Sequence, residues 1–350
     1  MPNLISQEQF RSLAESVDIL KAPNDFFGKY AFARVETFAT STVDFDVYEQ
    51  SRKVLPYVSR KVEGPNVDKQ GFRTNTVTPP YLKPKFSVTP RDLETRLAGK
   101  TLYVDGGANL SAEFQEYLAR RIYDELEVLV RRTIAAQQAQ AATLGKVTAL
   151  NEAGGVEYEV DYQRDATLLP DGGAQDTANI AAFTADPSAL FLNAADAINK
   201  LAGMRANVHV VLGADVRDAF RAHAKVQGAI SRDWSDRGRL GFTPDNSGAN
   251  WLGVIDGINY WHVPDWYVNP TTGVLTPVVA NKHALVFAEG AGAMYYGGLE
   301  LFDNRVGARA LDTYEQDKDP KGQVIQLHSA PLAVTTVRNG LTTSKLSRNV

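Results

Sequence analysis

Five histidines, His209, His223, His262, His283 and His328, are the first residues to test for chemistry. No two stand four apart, so no helical turn presents a metal-binding pair, and each reads as a structural or surface residue. Asp124, Glu125 and Glu127 form the densest carboxylate group. Asp124 and Glu127 are three apart and share a helix face, the minimum for paired acid–base work. Arg120, Arg121, Arg131 and Arg132 flank them, so the pattern reads as a solvated ion-pair face. Gly290-Ala-Gly292-Ala-Met-Tyr-Tyr-Gly297 is superficially like a dinucleotide loop, but its third glycine comes two residues late and Gly298, not a helix, follows. A strand with a bulge or a close backbone approach fits it better. No Gly-x-x-x-x-Gly-Lys-[Ser/Thr] phosphate loop and no Gly-x-Ser-x-Gly nucleophile elbow occurs. Trp234, Trp251, Trp261 and Trp266 are scattered and suit core or subunit contact more than a sugar platform.

Composition narrows the classes further. Cysteine is absent, which removes disulfides, thiolate metal sites and cysteine nucleophiles together. With 350 residues, 44% of them hydrophobic, the chain can bury a substantial core. Its formal charge of −4 builds in no long-range attraction to a polyanion, which disfavours a sequence-reading nucleic-acid binder. No apolar run approaches the roughly 18 residues of a membrane span. The opening Met1-Pro-Asn-Leu-Ile-Ser-Gln lacks the basic-then-apolar order of a secretory signal, so a cytoplasmic product is expected.

The elements that would position these residues follow from periodicity. Phe10, Leu13, Val17 and Leu20 lie on one face of a short helix, and Phe26, Phe27, Tyr30 and Phe32 form an aromatic cluster without clear period. Lys53 to Lys61 reads as a strand, and extended chain resumes from Phe72 to Val88. There Pro79, Pro80 and Pro84, with Pro90 just beyond, forbid a helix and disfavour an interior strand. Residues 62–109 therefore read as an exposed two-stranded arm that needs a partner surface. Ser111 offers an N-cap to a long helix, in which Phe114, Leu118, Ile122, Leu126, Val130 and Ile134 make an i,i+4 ladder supplemented by Tyr117 and Leu129. Glu116/Arg120 and Glu127/Arg131 are i,i+4 ion pairs in the favourable order. Four residues overshoot a turn by about 40°, so the stripe should wind and meet several partners; an end at Gly145 makes the helix about 50 Å long. Beyond it, 147–161 reads as a strand pair, Asp186-Pro187 as a helix start, Asn207 to Leu212 as a strand and Asp215 as a helix cap. Strands are expected at 251–262, 274–280, 285–288 and within 321–346, with a mobile surface loop at 232–250.

Two segments carry a family resemblance. Thr78-Pro-Pro-Tyr-Leu-Lys-Pro-Lys85 resembles the Thr-Pro-x-Tyr-x-Lys-Pro-Lys stretch in the extended loop of the lambda-phage family of major capsid proteins, and His328-Ser-Ala-Pro-Leu332 resembles that family's C-terminal Ser-Ala-Pro-Leu strand. Between them Gly145-Lys-Val-Thr, Glu157-Tyr-Glu-Val-Asp161 and Val208 to Val211 with Asp215, Phe220, Arg221, Lys225 and Val226 follow in the same order. Ordered matches run from about Phe26 to Leu346. The resemblance implies an α+β tailed-phage capsid (Hong Kong ninety-seven-like) fold. Its parts would be an N-terminal arm at 1–52, an extended loop with flanking strands at 53–110, a spine helix and peripheral domain at 111–180, an axial domain at 181–310, and C-terminal strands returning to the peripheral domain at 311–350. The aromatic cluster at 26–32 would then cross onto a neighbouring subunit.

The resemblance also implies roles for residues. Thr78, Pro79, Tyr81, Lys83, Pro84 and Lys85 would contact a neighbouring subunit. Phe114, Leu118, Ile122, Leu126, Val130 and Ile134 would form the spine-helix core, and Ser329, Ala330, Pro331 and Leu332 the C-terminal strand. No catalytic residue, cofactor or metal is implied. The implied partners are further copies in hexamers and pentamers, scaffolding, a portal, a decoration protein at threefold positions, and enclosed double-stranded DNA held without sequence reading. The virion capsid, assembled in the host cytoplasm, is the implied location. An encapsulin-like cellular compartment is the nearest rival, which the lambda-type segments oppose. A cytosolic hydrolase, from a different class, would need a pocket of perturbed acid and base groups.

Overall fold

The computed structural model describes residues 25–48, 57, 72–88, 120–150, 155–168, 187–202, 207–231, 238–245, 248–268, 273–301, 306–316, 322–337 and 339–345. The helix expected at 7–20, most of the strand at 53–61, and the first ladder positions, Phe114 and Leu118, lie outside these residues. In chain order the elements begin with α1 (Phe26–Tyr30), β1 (Arg34–Thr37), β2 (Val43–Tyr48), β3 (Phe72–Val77) and β4 (Lys85–Val88). A π-helical stretch (Ile122–Glu127) runs into α2 (Val128–Leu144), followed by β5 (Lys146–Leu150), β6 (Val156–Asp161), α3 (Pro187–Ala202), β7 (Val208–Leu212), α4 (Ala214–Ala222) and α5 (Ala224–Ser231). Strands then dominate: β8 (Gly238–Pro244), β9 (Asn250–Ile255), β10 (Ile258–His262), β11 (Trp266–Val268), β12 (Leu275–Pro277), β13 (His283–Ala288), β14 (Ala293–Tyr296), β15 (Ala310–Gln316), β16 (Gly322–His328), β17 (Pro331–Val334) and β18 (Leu341–Lys345).

A six-stranded mixed sheet, order β18-β13-β7-β10-β9-β8, forms the larger body. β7 lies inside it, parallel to β10 and antiparallel to β13, and all five of its residues are buried. Burial on both faces accounts for four apolar residues out of five without polar alternation, and the one polar residue, His209, is buried with them. Tyr260 on β10 stacks on Phe220 of α4 at 4.8 Å between ring centroids and meets Phe191 of α3 edge-on. Its neighbour Trp261 points the other way, where Phe26 of α1 lies 5.3 Å from it and 6.1 Å from Phe287. The sheet is thus covered by α3 and α4 on one face and α1 on the other. Phe26, Phe27 and Phe32 are buried in this chain's own core. The expectation that the aromatic cluster crosses onto a neighbouring subunit is therefore corrected: Asp25 caps α1 by accepting the Gly28 N–H at 2.8 Å, and the helix seats its rings on β10 and β13.

Two other expectations change. Part of the 232–250 stretch is strand β8, paired with β9, rather than loop. Asp215 lies in the first turn of α4, whose N-cap is Gly213, so its carboxylate favours the helix end without capping it. A Cβ at Gly213 would collide with the backbone of Ala280 and Asn281, which leaves the position to glycine.

The long helix differs from the regular one expected. Ile122, Leu126, Val130 and Ile134 are buried, and the four-residue ladder continues through buried Gln138 and Ala142. Ile122 and Leu126 fall in the π-helical stretch, whose wider i→i+5 turn keeps residues four apart in better register than an α-turn does. Leu129 is off the stripe and 51% exposed. Farther along α2, Ala139 and Ala141 are buried as well, so the covered face broadens as the helix meets β5, β17 and β18. Gly145 ends the helix in the left-handed region at φ +68°. Arg164, almost wholly buried, donates to the carbonyls of Ala141 at 2.7 Å and Ala142 at 2.8 Å, which lack partners at a helix C-terminus. Burial pulls its guanidinium down to about 9, still protonated at neutral pH.

Candidate assembly junction

The two segments singled out in the sequence lie against each other. Leu82 and Ser329 exchange both backbone bonds, Leu82 N–H to Ser329 O at 2.7 Å and Ser329 N–H to Leu82 O at 3.1 Å. The Leu327 N–H donates to Pro84 O at 3.0 Å, and β4 then continues antiparallel along β16, with Lys85 opposite Gln326 and Phe86 opposite Ile325. β4 is an edge strand of the sheet β15-β16-β4. Proline is tolerated there because one side needs no donor, and Pro84 supplies only its carbonyl. The expectation of a wholly exposed arm is corrected for this stretch: Pro79 is buried, and Gly297 approaches so closely that a Cβ would stand 3.1 Å from Pro79 Cγ. Thr78, Lys83 and Lys85 stay exposed, and Pro84 is half-buried.

Tyr81 ties the segment down from its other end. Its hydroxyl accepts the Glu300 N–H at 3.1 Å and shares a hydrogen bond with Nδ1 of His328 at 2.9 Å, across 247 positions of sequence. Burial, reinforced by the charge of Lys83, holds the His328 imidazole below its ordinary value. The Lys83 ammonium lies 5.4 Å from the Tyr81 ring centroid, a cation–π contact at the surface.

Ser329, Ala330, Pro331 and Leu332 are all buried at the centre of this junction. The Ser329 hydroxyl donates to Ala308 O at 2.8 Å, and Ala330 O accepts the Gly297 N–H at 3.0 Å. Pro331 and Leu332 open β17, opposite Tyr296 and Tyr295 of β14. Gln137 of α2 clamps the same strand: its amide donates to Pro331 O at 3.1 Å and accepts the Ala333 N–H at 3.2 Å. Tyr162 donates to Ala333 O at 2.5 Å. The run from Ser329 through Ala333, which passes from the Leu82 bridge into β17, thus joins the extended segment, the spine helix and the end of the β5–β6 hairpin.

A buried ion cluster reinforces the joint. Glu127, only 4% exposed, accepts from Arg131 one turn on at 2.6 Å and also pairs with Arg309, just ahead of β15. The reading of the 124–127 carboxylates as a solvated face is corrected for Glu127, because the π-helical stretch carries it to the inner side. Beside it lies a cavity of about 200 Å³, lined in part by Asp25, Arg131, Gln138 and Arg309. Burial raises the Asp25 carboxyl, while bonds from Gly28 and Gln138 and the charge of Arg131 oppose that shift. Glu127 thus ties α2 to the segment ahead of β15 through two guanidinium groups.

The histidines have structural partners. His209 accepts from the Trp261 indole at 3.1 Å, and His262 Nδ1 bonds to Leu212 O at 2.9 Å. Burial lowers both imidazoles. The Gly290–Gly297 run marks a close approach: a Cβ at Gly292 would collide with the Phe32 ring. Sequence reading missed Gln137, Tyr162, Arg164 and Arg309, whose partners are backbone groups or charges distant in sequence. The three glutamines of the alanine-rich stretch 135–142, Gln137, Gln138 and Gln140, were the available signal, and their spacing does not single out Gln137.

The chain resembles several solved structures over nearly its whole length. A structure described as a prophage capsid protein of Escherichia coli CFT073 is 17% identical, with a TM-score of 0.65, covering 96% of this chain and 98% of that one. The capsid of an empty GTA particle is 13% identical, TM-score 0.52, covering 94% and 91%. A phage-related protein of Bordetella bronchiseptica RB50 is 12% identical, TM-score 0.51, covering 96% of both chains. No curated protein sequence matches. The α+β architecture is thus the tailed-phage capsid (Hong Kong ninety-seven-like) fold. The family described as phage major capsid protein E matches residues 9–346. With that match spanning the spine helix, the extended segment and the strand that joins them, the chain belongs to the phage major capsid protein E family and is a capsid shell protein.

Proposed function

We propose that this chain builds the icosahedral head of a tailed phage, assembling as hexamers and pentamers around double-stranded DNA. The observation that carries this reading is the family match across residues 9–346. The chain contributes a rigid joint and extended edges, and its role is structural rather than enzymatic. Exposed Lys83 and Lys85, on the outer edge of the Thr78–Lys85 segment, contact a neighbouring subunit, while Pro79 and Tyr81 hold that edge in place. Scaffolding and a portal direct closure in the host cytoplasm, and a decoration protein binds at the threefold positions. No membrane takes part. DNA is held without sequence reading, and a formal charge of −4 avoids a strongly basic lining that would grip phosphates during packing and release. The encapsulin-like alternative is not favoured by the family match. Light scattering and negative-stain imaging over a concentration series test the proposal. Shells, tubes or sheets are expected; a strictly monomeric chain at every concentration would contradict it.

A further inference from the structure

Among the described residues, β11 and β12 pair only with each other, forming a two-stranded sheet that lies between β10 and β13 in chain order. Trp266 stands opposite Pro277, Tyr267 opposite Thr276 and Val268 opposite Leu275. Opposed residues share a face and successive residues alternate, so Trp266, Val268, Leu275 and Pro277 make one face and Tyr267 and Thr276 the other. The second face is half-buried, and the Val278 N–H closes the hairpin base on Asp265 O at 2.9 Å. The first face is open: Trp266 is 46% exposed, Val268 60% and Leu275 58%.

Such a face is costly to leave in water. A lone two-stranded hairpin is marginal, and clustered exposed apolar side chains mark a contact site. Residues 266–278 carry no charged side chain, so the face offers no cation to a phosphate backbone or an anionic lipid surface. Copies of the chain each bear a formal charge of −4 and repel, and an uncharged apolar face is where they meet with least opposition. We propose that the Trp266–Val268/Leu275–Pro277 face docks on a second copy of this chain as an apolar subunit contact of the shell.

This contact rests on the shell reading, and its test separates the two. Val268→Asp and Leu275→Asp alter exposed positions and should leave the melting curve of the unassembled chain unchanged. Each should raise the concentration needed for half-assembly by more than about tenfold, because docking would desolvate an unpaired carboxylate. Hydrogen exchange of the wild-type amides of 266–268 and 274–276 should slow on assembly, an arm that remains decisive if a variant misfolds. Variants that assemble at the wild-type concentration, amides that exchange equally in both states, or protection that arrives only with an added decoration protein would each overturn the proposal. A wild-type chain that never assembles refutes the shell reading instead, before any variant is compared.

Discussion

Leu126 and Glu127 are neighbours in the π-helical stretch and show how differently two buried side chains can matter. Leu126 sits among apolar partners on the inner stripe. Leu126→Asp would bury an unpaired carboxylate, at a cost of about 3 kcal/mol or more. Denaturant unfolding should show that loss, whereas Lys83→Ala, at an exposed position, should stay within about 0.5 kcal/mol of wild type. Glu127→Gln keeps the shape but removes the carboxylate shared by Arg131 and Arg309. Leaving two guanidinium groups without it should cost about 3 kcal/mol, read by the same unfolding curves. The Glu127–Arg131 pair was legible from its i,i+4 spacing, but the burial of Glu127 was not. Arg309 stands 182 positions away, and no local pattern announces a partner at that distance.

At the scale of elements, the four-residue ladder and Gly145 announced the long helix and its end. The π-helical turn stayed hidden because apolar residues four apart are compatible with either winding. The prolines of 79–84 correctly excluded a helix, yet they pointed outward to an exposed arm. A strand edge satisfies the same chemistry, and only the paired backbone of Leu82 and Ser329 distinguishes the two. A prediction follows for the unassembled chain. The amides of Leu82, Leu327 and Ser329 donate inside the junction, so they should already exchange slowly before assembly. Hydrogen exchange followed by mass spectrometry checks this; rapid exchange that slows only on assembly would mean that the segment docks late. Gln137→Leu removes both bonds from α2 to β17 and should speed exchange across Pro331–Val334 without unfolding the larger sheet.

For the whole molecule, stability should depend on pH through groups the fold has withdrawn from water. His209, His262 and His328 are all held below the ordinary imidazole value of 6.5, chiefly by burial. The unfolded chain therefore binds protons that the folded chain resists. Stability is fully present above 6.5 and is lost as pH falls from there through the folded values. Asp25 acts in the opposite sense: its raised carboxyl takes a proton more readily in the folded chain, which favours folding as pH approaches the carboxylate range. The melting temperature should fall between about pH 7 and about pH 5, and Asp25→Asn should leave that fall in place. The most direct test of the account is cryo-electron microscopy of particles formed when the chain is co-expressed with the products of neighbouring genes. The account predicts closed icosahedral shells in which each Thr78–Lys85 segment pairs with Ser329 of its own chain; failure to form closed shells, or a segment paired with a neighbour's strand instead, would contradict it.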